Sequence, residues 1–231
     1  MRWVVPEIWK NEEVFIVGGG ASILEVFDVN KAIVDKIFNK SVDLSAIAPY
    51  FSVLQYRHVI GVNAAYKIGN FFDFIFFGDY EFFLMNKHQL WKFPAIKVSC
   101  AKRTESIHWV KYLAKDENKK EGLTSDKTKI VWNYNSGCAA INFAVHLGVK
   151  RIYLLGFDFA INEGRKHFHN EYCLNVLDEK KAKEHIKIFE LYKNAINKIV
   201  EEIKAFNVEL ININTKETIE GIKTITLKEA L

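Results

Sequence analysis

The sequence predicts an α/β protein built on a single, mainly parallel, doubly wound sheet of the Rossmann-like type. Short apolar runs rich in β-branched and aromatic residues alternate with longer segments of helical period. The runs 14–17, 74–77 and 152–155 are almost continuously apolar, as is typical of central strands that helices cover on both faces. No Gly-, Ser- or Pro-rich linker divides the 231 residues, so the whole chain is predicted to form one domain.

The elements follow from the apolar pattern along the chain. Residues 136–147 are apolar on nearly every side, which predicts a helix buried against the sheet, and Gly148 ends it. Residues 178–206 are apolar on one side and rich in Lys and Glu on the other, which predicts an outer amphipathic helix. The polar segment 116–128 is long enough to indicate a mobile loop or lid. Six runs are predicted strands: 14–17, 59–62, 74–77, 95–98, 152–155 and 208–211.

Composition and charge exclude several classes of protein. With 49% apolar and 26% charged residues, the chain has an ordinary globular composition. The net charge of +4 favours anionic ligands slightly, but it is too small and too scattered for a protein that binds nucleic acid. The partners are therefore expected to be small molecules.

Cysteine usage and the apolar runs predict a cytoplasmic protein. The three cysteines are widely spaced and form no C-x-x-C pair, which indicates free thiols in a reducing compartment. Residues 1–13 lack the apolar run of a signal peptide, and the stretch 71–77 is too short to span a membrane. Three tryptophans are candidates either for the core or for the interface of a homo-oligomer: Trp3, Trp9 and Trp91.

A glycine turn follows the first strand. Gly18, Gly19 and Gly20 place no Cβ between the backbone amides and a ligand, and Ser22 opens the helix that follows. A helix amino terminus carries partial positive charge, so the turn favours a phosphate or nucleotide. A tight strand-to-helix turn without a ligand is the alternative interpretation.

Two other polar segments are predicted to lie near this turn, because ligands of open α/β sheets bind beyond the carboxyl ends of the strands. Asn63 ends the second strand, where its amide would read a ribose, base or sugar edge or, alternatively, cap a helix. Asn135, Ser136 and Gly137 open the buried helix, with Ser136 predicted both to cap it and to face an anion. Cys138 is interpreted as a structural thiol.

Carboxylates and histidines follow two further strands. Asp79 is predicted to hold Mg²⁺ beside substrate phosphates, with a helix cap as the alternative. Asp158 ends a buried strand, where a carboxylate is costly unless it has a role. His167 and His169 would face the same way in an extended segment, as acid/base, phosphate-binding or metal-binding groups.

The order of these motifs resembles, from about Val14 to the carboxyl terminus, the phage and bacterial branch of the family of archaeal 6-hydroxymethylpterin diphosphokinases. The resemblance implies Mg²⁺-assisted diphosphoryl transfer from ATP to a hydroxymethylpterin or a related small alcohol. The motifs are Gly-Gly-Gly-Ala-Ser at 18–22, Val-Asn-Ala-Ala-Tyr at 62–66, Phe-Gly-Asp-Tyr at 77–80, Asn-Ser-Gly-Cys-Ala-Ala-Ile-Asn at 135–142, Gly-Val-Lys-Arg-Ile-Tyr-Leu-Leu-Gly-Phe-Asp at 148–158 and His-Phe-His at 167–169.

The same skeleton is similar to the bacterial sialyltransferases that use CMP-sialic acid. Gly19 stands where those enzymes have Asn, and Ala160 stands where they have a catalytic Tyr, for which Tyr172 is a candidate substitute. By this resemblance His167 or His169 is the general base. The residues that the resemblance places around the nucleotide are Gly18, Gly20, Ser22, Asn63, Ser136 and Gly137.

Together these patterns predict a nucleotide-dependent transferase. In the first expected mechanism Asp79 and Asp158 orient Mg²⁺, and His167 or His169 takes a proton from the acceptor hydroxyl during diphosphoryl transfer from ATP. The first alternative is a glycosyltransferase with a CMP- or UDP-sugar donor and the same histidine base. The second is a nucleotide-binding module without turnover.

Overall fold

The computed structural model describes residues 3–161, 165, 167–169, 179–214, 216 and 218–231, without the side chains of 179–186. Eight strands of this part of the chain form one sheet in which every pair is parallel. They are β1 (Glu13–Val17), β2 (His58–Val62), β3 (Phe74–Phe77), β4 (Ile96–Ser99), β5 (Val110–Tyr112), β8 (Arg151–Leu155), β9 (Glu209–Ile213) and β10 (Lys223–Ile225). Two short strands, β6 (Ala114–Lys115) and β7 (Lys129–Ile130), pair separately.

Helices connect the strands. The α-helices are α1 (Ser22–Val26), α2 (Lys31–Phe38), α3 (Tyr80–Lys92), α4 (Ser136–His146), α5 (Glu179–Ile203) and α6 (Leu227–Ala230). Segments of 3-10 helix cover Leu44–Leu54, Asn63–Ile68, Lys102–Thr104 and Lys204–Phe206. Within the described part of the chain, no helix combines the length and apolarity that crossing a membrane requires.

The sheet buries both of its faces. Val14 and Ile16 of β1 belong to one apolar cluster, which also contains buried residues of α4 and α5. Phe15 and Val17 of the same strand belong to a second cluster, with buried residues of α1, α2 and α3. Successive side chains of a strand point to opposite faces, so helices cover the sheet on both sides. The predicted doubly wound α/β fold is confirmed.

The strand order reverses at β1, and this reversal positions the site. The order across the sheet is β10-β9-β8-β1-β2-β3-β4-β5, so the chain builds one half outward from β2 and the other from β8. Val17, the last residue of β1, is level with Gly61 of β2 and with Leu155 of β8. The segments that follow these three strands therefore emerge side by side at a topological switch point.

All six predicted strands are confirmed, with bounds that differ by at most two residues. The helix predicted at 136–147 is α4, which is buried along almost its whole length, and Gly148 ends it with a φ of +87°. The strands β5, β6, β7 and β10 were not predicted, because they have two or three residues each and show no apolar run. Trp9 is buried in the core and Trp91 is exposed, so an oligomer interface at Trp91 stays a prediction.

The segment 116–128, predicted to be a mobile loop or lid, is instead hydrogen-bonded to two helices. The Glu202 carboxylate of α5 accepts from the backbone N–H of Leu123 at 2.8 Å and from the Lys119 ammonium at 2.7 Å. Asn142 of α4 accepts from the N–H of Thr124 at 3.2 Å and donates to its carbonyl at 3.1 Å. Leu123 itself is buried in the core, where its burial stabilises the segment further.

Phe143 tests the packing of α4 on the sheet. Its ring is fully buried and lies 5.1 Å from the ring of Phe74 and 6.0 Å from that of Phe76, between ring centroids. We expect Phe143→Ala to lower the free energy of unfolding by about 3–5 kcal/mol, measured by urea denaturation, because it leaves a cavity. The control Tyr56→Ala, at a side chain 94% exposed, should change it by no more than about 0.5 kcal/mol.

Candidate active site

A cavity of about 120 Å³ opens at the switch point, at the carboxyl ends of β1, β2 and β8. Ser22 and Asp79 are not part of its lining, although Ser22 donates a hydrogen bond to Asp158, which is. Tyr172, the candidate substitute for a catalytic tyrosine, and Cys173, one of the three cysteines, lie outside the described residues. The predicted site residues that line the cavity are Gly18, Gly19, Gly20, Asn63, Asn135, Ser136, Gly137, Asp158, His167 and His169.

Two of the turn glycines are required by the close approach of β8. The N–H of Gly18 donates to the carbonyl of Leu155 at 2.7 Å, and that of Gly20 donates to the carbonyl of Gly156 at 2.9 Å. A Cβ on Gly18 would lie 2.8 Å from the Gly156 oxygen, and one on Gly20 would lie 2.5 Å from the Asp158 carboxyl carbon. Internal packing therefore accounts for these two positions whether or not a ligand is bound.

Gly19, the middle glycine, contacts the histidine segment instead. A Cβ on Gly19 would lie 3.0 Å from Nδ1 of His167, and among the described residues beyond its chain neighbours it would meet no backbone atom within 4 Å. Its carbonyl accepts from the backbone N–H of Phe168 at 3.1 Å and lies 3.2 Å from the same Nδ1. Within the described residues no backbone hydrogen bond engages the N–H of Gly19, in contrast to those of its two neighbours.

Asp158 joins three strand ends. Its carboxylate accepts from the backbone N–H of Ser22 at 2.9 Å, from the Ser22 hydroxyl, and from the side-chain amide of Asn214 at 3.4 Å. The residue is 5% exposed, so these donors offset much of the cost of burying the carboxylate. Asp158 thus connects the end of β8 to the start of α1 and to the segment after β9.

Asp79 is the N-cap of α3, as the alternative interpretation proposed. Its exposed carboxylate accepts from the backbone N–H of Glu81 at 2.8 Å. Among the described residues, no group of three or more His, Cys, Asp or Glu side chains is placed to hold a metal ion. The cap role of Asp79 is thus present in the fold, and magnesium at Asp79 and Asp158 stays a prediction.

The two predicted histidines stack on each other. Their ring centroids are 5.1 Å apart and the ring planes differ by 3°. His169 is 2% exposed, and burial, with smaller effects from the charges of His167 and Lys67, holds its pKa well below the usual value. His169 is therefore neutral at pH 7, while the half-buried His167 borders the cavity.

Asn63 supplies an acceptor that the fold leaves unused. It follows β2 directly and has a left-handed backbone, with a φ of +51°. Its Oδ1 is buried and has no hydrogen-bond partner among the described residues. Such an atom costs about 1–3 kcal/mol of stability, so its retention at a cavity wall favours a ligand that donates to it.

The start of α4 differs from the prediction in one respect. Asn135, and not Ser136, is the N-cap, because its Oδ1 accepts from the N–H groups of Gly137 at 2.7 Å and Cys138 at 3.1 Å. The Ser136 hydroxyl accepts from the N–H of Gly78 at 3.2 Å and so connects α4 to the end of β3. Cys138 is fully buried, which raises its thiol pKa, so a structural thiol is confirmed.

Sequence reasoning missed the aromatic side of the cavity. Phe157 and Phe159 follow β8, and Phe189 and Tyr192 come from α5. The ring centroid of Tyr192 lies 6.4 Å from that of Phe159 and 6.5 Å from that of Phe189, and burial raises the pKa of Tyr192. The spacing of three residues between Phe189 and Tyr192 placed them on one helix face, but such a pair is usually part of a core.

No protein-family model matches the sequence, and no curated protein matches it. Solved structures of the sialyltransferase CstII are similar in fold. That of the Campylobacter jejuni enzyme with CMP is 14% identical, with a TM-score of 0.44, and the alignment covers 93% of this chain and 84% of that one. A CstII complex with a trisaccharide acceptor and CMP is 15% identical, with a TM-score of 0.49 and coverages of 93% and 86%. At these values the likeness assigns no activity to this chain.

Removal of the Asp158 carboxylate tests its role in holding the strand ends together. We expect Asp158→Ala to lower the free energy of unfolding by about 1–3 kcal/mol for each buried Ser22 donor left unpaired. Asp158→Asn should cost less, because the Ser22 hydroxyl is able to reverse its role and accept. Asp79→Ala, which removes an exposed cap, is the matched control and should cost about 1 kcal/mol in the same urea denaturation.

The buried histidines predict how stability depends on pH. Burial lowers the pKa of both His146 and His169, so below about pH 6.5 the unfolded chain binds protons that the folded chain does not. Stability should therefore fall as the pH decreases from 7.5 to 5.5, by at most about 1.4 kcal/mol per pH unit for each histidine. His169→Gln should reduce this slope in urea denaturation, whereas His88→Gln, at an exposed position, should leave it unchanged.

Proposed function

We propose that this chain is a glycosyltransferase that binds a nucleotide-linked sugar donor in the switch-point cavity. One observation carries the proposal: a single cavity brings together the glycine turn, the unused acceptor of Asn63, the start of α4 and the histidine pair. These are the groups that a nucleotide, its phosphate and a proton transfer require, and they come from four separate parts of the sequence.

One side of the cavity is polar and the other is aromatic, which matches the polar and the flat apolar parts of a nucleotide. Asn63 offers a buried acceptor to an exocyclic amine or a ribose hydroxyl. The rings of Phe159 and Tyr192 offer an apolar surface to a base or sugar face. Gly19 contributes a backbone N–H near the start of α4, where partial positive charge favours a phosphate.

The histidine pair would supply the base. The acceptor hydroxyl oxygen attacks the anomeric carbon of the donor, and the bond from that carbon to the phosphate oxygen breaks. The nucleotide leaves with the bonding electrons, and the hydroxyl proton passes to a histidine nitrogen. Histidine has a pKa near neutrality, and a positioned base contributes about 10²- to 10⁴-fold to the rate.

The positions of the two aspartates favour glycosyl transfer over diphosphoryl transfer from ATP. Diphosphoryl transfer depends on a metal ion that neutralises phosphate charge. Asp158 accepts hydrogen bonds from Ser22 and Asn214, and Asp79 caps α3 outside the cavity lining, so both carboxylates have a structural role in the fold. The structurally similar sialyltransferases were solved with CMP and with CMP-3FNeuAc, which makes CMP compounds the first ligands to test.

A thermal-shift panel tests the proposal, with CMP, UDP, CMP-sialic acid, UDP-sugars and ATP, each with Mg²⁺ and with EDTA. We expect a CMP or UDP compound to stabilise the chain equally in both conditions, by about 2.7 kcal/mol at a hundred times its dissociation constant. Release of the nucleotide in the presence of sugar acceptors then measures transfer. A shift seen with ATP and only with Mg²⁺ would instead support diphosphoryl transfer, and binding without product would indicate a binding module.

Asn63→Gly separates ligand binding from folding. Glycine adopts a φ of +51° without strain and removes a buried acceptor, so the stability of the free chain should stay the same or increase. Affinity for the nucleotide found in the panel should fall about tenfold in calorimetric titration, the value of one hydrogen bond. Asn207→Gly is the matched control, because Asn207 has a φ of +57° and lies outside the cavity lining. Unchanged affinity in Asn63→Gly would contradict the assignment.

A further inference from the structure

The carbonyl of Gly19 is the centre of a small network within the cavity wall. It accepts from the backbone N–H of Phe168 at 3.1 Å and lies 3.2 Å from Nδ1 of His167. A carbonyl oxygen only accepts hydrogen bonds, so Nδ1 must carry the hydrogen in this contact. In the neutral ring the other nitrogen, Nε2, is then the basic one.

The histidine segment is held on both sides of His167. Phe168 is fully buried in the same apolar cluster as Phe15 and Val17 of β1, which fixes the backbone next to His167. On the ring side, His169 stacks on His167 and stays neutral because it is buried. The imidazole of His167 therefore has a fixed backbone, a fixed stacking partner and a fixed Nδ1 contact.

Gly19 is also the one turn glycine whose missing side chain makes room for this ring. A Cβ there would lie 3.0 Å from Nδ1 of His167, closer than such contacts usually are. The backbone of Gly19 is not left-handed, so an alanine is compatible with the turn itself. The absence of a side chain at Gly19 thus leaves room for the imidazole of His167, whereas at Gly18 and Gly20 it allows the close approach of the segment after β8.

We infer that Gly19 is a positioning residue, whose carbonyl selects the Nδ1–H tautomer of His167 and makes Nε2 of that ring the atom that takes the acceptor proton. The inference deepens the proposed function and rests on it for the proton transfer. It assigns the base to His167, and it gives the glycine turn a role in orienting the base as well as in binding phosphate.

Nitrogen-15 NMR of the histidine side chains tests the tautomer without any substrate. We expect His167, identified by the loss of its signals in His167→Gln, to show the Nδ1–H pattern in the wild-type chain at pH 8. In Gly19→Ala the added methyl group should displace the ring and replace that pattern by the Nε2–H tautomer or a mixture. Gly69→Ala is the matched control, because its Cβ would also meet a side chain, the Phe71 ring, at 3.2 Å but outside the cavity lining.

Enzyme kinetics test whether the position and tautomer of His167 affect proton transfer. Gly19→Ala should lower kcat at least about tenfold with little change in KM for the donor, and His167→Gln should lower kcat by about 10²- to 10⁴-fold, as expected for loss of a base. The Nε2–H tautomer in the wild-type chain, or an unchanged kcat in Gly19→Ala, would overturn the inference. The absence of any sugar transfer would instead count against the proposed function. The NMR test of Gly19 needs no turnover, so its result would still stand.

Discussion

The close approach of β1 and β8 is the constraint on which the rest of the site depends. Where the two strands end, a side chain at Gly18 would meet the backbone of Gly156, and one at Gly20 would meet the Asp158 carboxylate. The N–H groups of these residues donate to carbonyls at the end of β8, and the Asp158 carboxylate receives the first N–H of α1. Because this junction lies where the strand order reverses, it leaves an open crevice beside it, and the cavity occupies that crevice.

The polar groups at this junction fall into two sets. The side-chain oxygens of Asp158 and Asn135 accept hydrogen bonds from the N–H groups that begin α1 and α4, and these bonds support the walls of the cavity. Among the described residues, the buried Oδ1 of Asn63 has no partner and the N–H of Gly19 makes no backbone hydrogen bond. An unpaired buried group is costly, so the Asn63 oxygen at the cavity wall is the acceptor that the proposed ligand would use.

Much of this architecture was predictable from the sequence, and Asp79 and Tyr192 show which features were not. The runs at β1, β3 and β8 are apolar enough to define buried strands, and ten of the site residues named from the sequence line one cavity. Asp79 was ambiguous, because an aspartate after a strand is equally suited to a metal site and to a helix cap. Tyr192 was missed, because an aromatic residue on an amphipathic helix has the same pattern whether it faces a core or a cavity.

The sequence by itself determined the fold class, six of the strands, the helices α4 and α5 and the set of polar segments at strand ends, because these follow from local apolar period and turn chemistry. Only the tertiary structure decided what each polar group does. Asp158 accepts from Ser22, and segment 116–128 is hydrogen-bonded to Glu202, and both contacts join residues that are far apart in the chain. The same holds for Gly19 and His167, which are 148 positions apart and meet only because β1 pairs with β8.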